Sequence, residues 1–257
     1  MKQPSLNSSK ELFKPVPVFS PKDNALIFFI RCLFDLQLKT IVDFLRPELA
    51  IISGDIVDIG AGNAPWKVFL PEGLKYTGLD IENANEFAMP NNEEIIYYQG
   101  GRFPFSGNQF TNVLCVEVLE HIVDTEFFLR EIYRCLKPEG KLILTVPWSA
   151  RRHHLPYDYF RFTPEALTYL LQKNGFIDIQ ITDRGNDFAV VFNKILCLIQ
   201  GLLFSPERKT FFFKIPLVLI LLAIMPFFFL IAHISLIFGV SLRMDPLGYG
   251  LTAKKPH

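Results

Sequence analysis

From Gly54 onward, apolar residues come in short β-branched or aromatic runs, several of them ending at an acid or a glycine. They are "DIVDIG", "KYTGLDI" (75–81), "EIIYYQ" (94–99), "TNVLCVEV" (111–118), "KLILTVPW" (141–148) and "FIDIQIT" (176–182). Each has the length and composition of a buried strand. Helical stretches fall between several of them. Asp124 is placed to cap "TEFFLREIYRCL", which "KPEG" is expected to stop. Thr163 caps the next helix, with Pro164 in its first position and Gly175 at its end. Strands alternating with helices predict a parallel sheet covered on both faces. Ahead of this block, Asn24–Leu45 repeats at helical spacing, and Pro47 is expected to close a helix lying against the domain that follows.

After Phe188 the pattern changes. Ile215–Val240 carries no charged residue and is long enough to cross a bilayer, which takes about 20 apolar residues. Pro226 lies near its middle, so the run is expected to break into arms 215–225 and 227–240 and re-enter the membrane. A full crossing paired with segment 188–204 is the alternative. In that segment Asn186/Asp187, Asn193/Lys194, Gln200/Gly201 and Glu207/Arg208 recur every seven residues. This narrow polar stripe on an apolar cylinder suits a helix in the membrane interface, the alternative being a helix packed on the domain. His233 in the run marks a buried polar contact. "GYGLTAKKP" (248–256) reads as one more strand, beyond the apolar run. If it joins the same sheet, the apolar module is an insertion between two strands, and it must cross the membrane zero times or twice. The expected divisions are 1–50 (arm and helix), 51–185 (core), 186–246 (hydrophobic insertion) and 247–257 (last core strand).

Composition narrows the partners. The 257 residues hold 26 Lys and Arg against 26 Asp and Glu, with no long basic block, so no nucleic-acid partner is expected. Cys32, Cys115, Cys135 and Cys197 are scattered without metal-ligand spacing and read as reduced packing residues. The first 24 residues are polar and Pro-rich, a loose arm without a secretory pattern. Arg208, Lys209, Lys214 and Arg243 flank the apolar run and predict that both flanks stay cytoplasmic.

Candidate chemistry begins at "DIVDIGAGNAPW". Gly60, Ala61 and Gly62 follow the first strand, where the ligand of an open α/β sheet sits. Asp58 is placed to face a cationic group. Asp80, followed by Ile81, ends the second strand at a spacing that suits an acid on ribose hydroxyls. A dinucleotide and S-adenosylmethionine (SAM) both fit a glycine turn. Position 65 is Pro where the dinucleotide fingerprint has its final Gly, and the acids suit a sulfonium, so SAM fits better.

Gly54–Asp183 resembles the class I SAM-dependent methyltransferases, in particular the methyltransferase type 11 group, through "VDIGAG", "YTGLDI", "FPFSGNQFTNVLCVEVLEHI" and "LREIYRCLKPEGKLILTVP". The resemblance implies a Rossmann-like, mostly parallel seven-stranded sheet whose last strand returns antiparallel beside strand six, and "GYGLTAKKP" looks like that strand, which makes the apolar module an insertion in a hairpin. It puts Asp58, Gly60 and Gly62 along the methionine part, Asp80 on the ribose, and Glu117 with nearby backbone beside the cofactor. Two positions depart from the pattern. Gly100 and Gly101 stand where an acid usually contacts adenine, leaving backbone or Arg102 to compensate, and Phe110-Thr111 replaces a Phe-Asp pair.

Methyl transfer to a hydroxyl requires a base near the acceptor. The loop "PWSARRHHLPYDYFRFTPEAL" supplies His154 as the favoured base, then His153 or Asp158, with Tyr157, Tyr159 and Arg161 on the acceptor side. Similar H-x-x-P-x-D-Y-x-R-x-T loops line the acceptor side in the resembled group. Alternatively, Asp158 and Arg161 pair to rigidify the loop and the histidines are solvated. No metal is expected, because adjacent His153 and His154 rarely share an ion and no third ligand is obvious. His121 reads as structural more than catalytic. The sequence thus predicts a membrane-associated SAM-dependent methyltransferase on the cytoplasmic face. Its acceptor would lie at the bilayer: a lipid, a quinone precursor or a lipid-linked glycan, with O-methyl transfer slightly favoured. The alternative is a non-catalytic scaffold of the same fold.

Overall fold

The computed structural model describes residues 16–18, 20–82, 92–204, 211–242 and 244–257. Arg208, Lys209 and Arg243, expected to flank the apolar run, lie outside them, as do Glu207 and most of the N-terminal arm.

Two helices precede the sheet where one was expected. Helix α1 is Ala25–Phe34 and α2 is Leu36–Ala50. Asn24 caps α1, its side chain accepting from the Ile27 N–H at 3.0 Å. Asp35 ends that helix and caps the next, accepting from the Leu38 N–H at 3.1 Å. Pro47 does not close α2, which runs on to Ala50. A proline there forfeits one hydrogen bond near the end, while Leu45 and Leu49 are fully buried. Burying each leucine is worth about 1.5–3 kcal/mol.

Strands β1 (Asp55–Ile59), β2 (Lys75–Ile81), β3 (Ile95–Tyr98), β4 (Phe110–Val116), β5 (Leu136–Pro147), β6 (Ile177–Arg184) and β7 (Gly248–Lys254) form one sheet in the order β3-β2-β1-β4-β5-β7-β6. The first five pair in parallel, while β7 runs antiparallel between β5 and β6. Alternating side chains divide the core. Val57, Ile59, Val113, Cys115, Leu142 and Leu144 pack towards α3 (Thr125–Cys135) and α4 (Pro164–Lys173). Ile56, Leu114, Val116 and Ile143 pack towards α2. Helices therefore cover both faces, as the apolar runs predicted. Between β1 and β2 a 3-10 turn, Pro65–Phe69, stands in for a helix.

Asp124 and Thr163 cap α3 and α4 as expected. Helix α3 ends at Cys135, one residue before the expected boundary, and "KPEG" lies not in a loop but in the first part of β5, which begins at Leu136. Gly140 lies against the carbonyls of Lys137 and Thr111, where a β-carbon would sit 2.8 and 3.0 Å from the oxygens.

The segment between β6 and β7 holds α5 (Asp187–Phe204) and α6 (Phe211–Phe238), packed as a helical pair. The expected break at Pro226 is absent, because α6 continues through both Pro216 and Pro226. The return is made by the α5–α6 pair, not by a re-entrant kink. Both helices are long and apolar enough to cross a membrane, a test that core helices of soluble proteins also pass. Only 11% of the α6 window is buried within the protein. The polar stripe of α5 is partly spent inside the protein. Asn186 bonds Ser235 of α6 at 3.0 Å, Asp187 accepts from Ser241, Leu242 and Asp245, and Lys194 donates to the Ser149 carbonyl. His233 makes the polar contact foreseen for it, with Nε2 2.9 Å from the Leu33 carbonyl of α1.

Candidate active site

The glycine turn lies at the carboxyl edge of the sheet. Gly60 and Ala61 N–H groups donate to the Leu79 carbonyl at 2.8 and 3.1 Å, folding the turn over the end of β2. The Gly62 N–H donates to Asp80 Oδ2 at 2.8 Å, and the Ile81 N–H to Oδ1 at 2.7 Å. Asp80 is thus fixed beside the turn, and each of its oxygens has further acceptor capacity. Burial raises its pKa, which the two N–H donors only partly oppose. Gly60 has φ 74°, and a β-carbon there would collide with Val118 Cγ2. The segment after β4 therefore passes directly over the turn. Asp80, held on the turn with acceptor capacity left on both oxygens, fits the ribose hydroxyls of SAM.

Asp58 is 1% exposed and accepts a hydrogen bond from the Tyr76 hydroxyl at 2.9 Å. Burial, with the Asp80 charge adding to it, pushes its carboxyl up to about 7. Tyr76 is a partner that sequence reasoning missed. Its signal is register: Tyr76 lies opposite Ile56 on β1, two residues from Asp58.

Gly100 and Gly101 have φ 86° and 77°, and nothing lies within 4 Å of a β-carbon built on either. They leave open space past β3. Arg102 is exposed, and the chain enters the core at Phe103, whose N–H donates to Glu131. Glu117 follows β4 with φ 53°. Its Oε1 accepts from Arg184 Nη2 at 2.7 Å and from Thr145 Oγ1 at 2.9 Å. Its side chain thus faces β5 and β6, and its N–H donates to the Thr145 carbonyl at 3.1 Å. Burial raises the Glu117 carboxyl, against the lowering effect of Arg184.

The loop after β5 folds back over the turn after β4. Tyr159 and Phe160 N–H groups donate to the Glu120 carbonyl at 3.0 and 3.2 Å. Arg161 grips Asp158 with two bonds, at 2.6 and 2.9 Å, and the His153 N–H donates to Asp158 at 3.1 Å. The Asp158–Arg161 pair thus rigidifies the loop. Burial alone would raise Asp158, but these partners lower it overall. Tyr157 and Tyr159 are exposed beside it.

Three imidazoles meet here. The His121 and His153 ring centroids are 4.8 Å apart, and His154 is 5.3 Å from each. Burial lowers His154 to about 4, with the neighbouring histidines adding to the effect. His154 is thus neutral at pH 7 and able to accept a proton, though weakly basic. Burial opposes protonation of His153 as well, but Glu120 and Asp158 outweigh it and raise its pKa. Sequence reasoning passed over Glu120, which is fully buried at the centre of this group, and set His121 aside as structural. The available signal was "EH" in the turn after β4 and "HH" in the loop after β5, two adjacent parallel strands. One oxygen of Glu120 and one nitrogen each of His121 and His153 lie within 4.8 Å of one another, a donor set that could hold a metal ion.

Comparison with known proteins shows the family. A family described as "Methyltransferase domain" matches residues 29–181, more than half of the chain. A ubiquinone biosynthesis O-methyltransferase of Rickettsia canadensis is 27% identical over 124 residues, covering 45% of this chain and 52% of the relative. A demethylmenaquinone methyltransferase of Listeria welshimeri is 32% identical over 102 residues, 34% of this chain and 42% of that one. The matched stretch thus spans about half the length of these relatives. A SAM-dependent methyltransferase from Archaeoglobus fulgidus superposes with a TM-score of 0.52 at 16% identity, over 89% of this chain and 99% of that one. The [4+2]-cyclase SpnF superposes at 0.51 and 18% identity, over 86% and 82%. The family match, the seven-stranded sheet and the acid-anchored glycine turn agree, and the chain belongs to the class I SAM-dependent methyltransferases.

Proposed function

We propose that this protein transfers a methyl group from SAM to an oxygen of an acceptor held at a membrane surface, facing the cytoplasm. When bound, SAM supplies the electrophilic methyl carbon and takes the bonding electrons onto its sulfur. Asp80 would hold the ribose, and the Gly60–Gly62 backbone and Asp58 would border the methionine part. Glu117 backbone and the open Gly101 would line the adenine side. The His153–Arg161 loop would position the acceptor, with Tyr157, Tyr159 and Arg161 beside it. The acceptor's hydroxyl proton would pass to an imidazole nitrogen, His154 being neutral at pH 7.

One observation carries the membrane part of this reading. The loop that bears His153 and His154 is bonded to α5 and to the segment just beyond α6. Lys194 of α5 donates to the Ser149 carbonyl at 3.0 Å, and the Trp148 indole donates to Asp245, beyond α6, at 3.1 Å. The outer surface of that pair is apolar: Leu219, Ile220, Phe227, Leu230 and Ile237 are all exposed. Helix α1 extends it, with Leu26, Ile27 and Phe29 exposed and Phe34 stacked on Phe229 at 5.5 Å. An apolar surface of this kind suits lipid. The relatives' names point to quinones, so a quinone precursor is the first acceptor class to try, ahead of other lipids and lipid-linked glycans. The open Gly100–Gly101 edge, lacking the usual acid, is what a non-catalytic scaffold of this fold would also show.

The reading is tested by incubating the protein with methyl-labelled SAM and membranes. Label should enter the organic-extractable fraction with the wild type and not with Asp80→Ala. Label confined to water-soluble acceptors would remove the membrane acceptor, and no transfer to any fraction would favour the scaffold.

A further inference from the structure

We propose that Glu120, His121 and His153 bind one divalent cation at the acceptor end of the cofactor edge. Glu120 is 0% exposed, and neither of its carboxylate oxygens has a hydrogen-bond partner. A buried carboxylate in that state is costly, and a proton or a cation must satisfy it.

The two imidazoles are oriented to supply the cation's other ligands. His121 Nδ1 lies 2.9 Å from the Tyr157 carbonyl, and His153 Nδ1 lies 3.2 Å from the Arg151 carbonyl. A carbonyl only accepts, so each Nδ1 carries the hydrogen. In the neutral ring this leaves the lone pair on Nε2, and the His121 Nε2 is buried without a hydrogen-bond partner. Backbone carbonyls that fix the tautomer in this way are the usual outer support of metal-bound histidines.

Distances agree. His121 Nε2 and His153 Nε2 are 3.6 and 3.7 Å from Glu120 Oε1, too long for hydrogen bonds. Around a tetrahedral ion with bonds of about 2.1 Å, ligand atoms sit about 3.4 Å apart. The frame is also rigid: Glu120 and His121 lie in the 3-10 turn Leu119–His121, and the Asp158–Arg161 pair holds the loop that carries His153. Two imidazoles and one carboxylate suit Zn²⁺, Mn²⁺, Fe²⁺ or Co²⁺ rather than Ca²⁺. Three protein ligands leave positions for an outside oxygen. On the methyl-transfer reading above, that oxygen is the acceptor's, and the cation lowers its proton affinity. The site itself does not depend on that reading.

The protein, stripped with chelator and exchanged into metal-free buffer, is titrated with Mn²⁺ while free Mn²⁺ is followed by electron paramagnetic resonance. One equivalent should bind, with affinity lowered at least about tenfold in His121→Ala, His153→Asn and Glu120→Gln. The wild-type result is decisive even if the buried Glu120 variant fails to fold. No saturable binding, or binding unchanged in both histidine variants, overturns the site. S-adenosylhomocysteine binding is measured on the same samples. Its retention without Mn²⁺ binding removes the site and leaves the methyltransferase, while Mn²⁺ binding without it does the reverse.

Discussion

Arg184, the last residue of β6, donates through Nη2 to Glu117 Oε1 at 2.7 Å, tying the strand that enters the apolar helices to the turn above the cofactor edge. Arg184 also donates to the Val146 and Tyr249 carbonyls, and a β-carbon at Gly248 would strike its guanidinium. Glu117→Gln leaves a guanidinium that is 1% exposed without its counter-charge. Loss of one partner of a buried pair costs about 3 kcal/mol. The denaturant midpoint should fall accordingly, and Gly248→Ala should lower it as well. An unchanged midpoint in both variants would mean that the pair is not formed.

Two glycines with similar backbone angles should respond differently to alanine. At Gly60 the new methyl meets Val118 as well as a positive φ, whereas at Gly100 it meets open space. Gly100→Ala should cost only the backbone term, about 1–2 kcal/mol. Gly60→Ala should cost more and also abolish binding of S-adenosylhomocysteine. Thermal melts with and without ligand separate the two.

Asp58 sets a pH dependence. In the unfolded chain an Asp ionises near pH 3.9, but in the folded protein this one ionises at about 7. Between those values the folded state holds a proton that the unfolded state has lost, so this contribution to stability falls as pH rises through the window and levels off above it. Asp55, lowered to about 2 by Thr111 and Lys137 despite burial, acts in the opposite sense, and only at lower pH. From pH 5 to pH 8 the wild type should therefore lose on the order of 1–3 kcal/mol relative to Asp58→Asn. Parallel profiles would show that Asp58 ionises normally.

The outer face of α6 gives a fourth test. Leu219 and Phe227 are exposed, and a lysine at the centre of a membrane helix costs about 2.5–3.5 kcal/mol. The Leu219→Lys, Phe227→Lys double variant should shift the protein from the membrane fraction towards the soluble one. If the face meets water, the wild type should be soluble without detergent and the variant should match it.

The sheet was legible because parallel strands buried on both sides read as short apolar runs with turn residues between them, from "DIVDIG" to "FIDIQIT". The resemblance to the methyltransferase fold placed "GYGLTAKKP" beside β6, where β7 lies. Proline was misread twice. Pro47 and Pro226 each remove one hydrogen bond, and neither ends its helix, because the rest of the ladder remains and the apolar face of α2, like the pairing of α5 with α6, holds the helix together. Asp35 was hidden inside a helical pattern because a polar residue at that spacing looks like a solvent face. The Glu120 group could not be read from local pattern. It exists only because β4 and β5 are neighbours, which brings His153 to His121 across the sheet edge. The superposition with SpnF, a cyclase, makes the same point: the fold fixes where the site lies, and the residues on the loops decide the reaction.

Calorimetric titration of the detergent-purified protein with S-adenosylhomocysteine tests the central claim most directly. One equivalent should bind with measurable heat, and Asp80→Ala, of unchanged thermal stability, should show none. A folded wild-type protein that gives no heat at any ligand concentration would contradict the assignment of this edge as a SAM site.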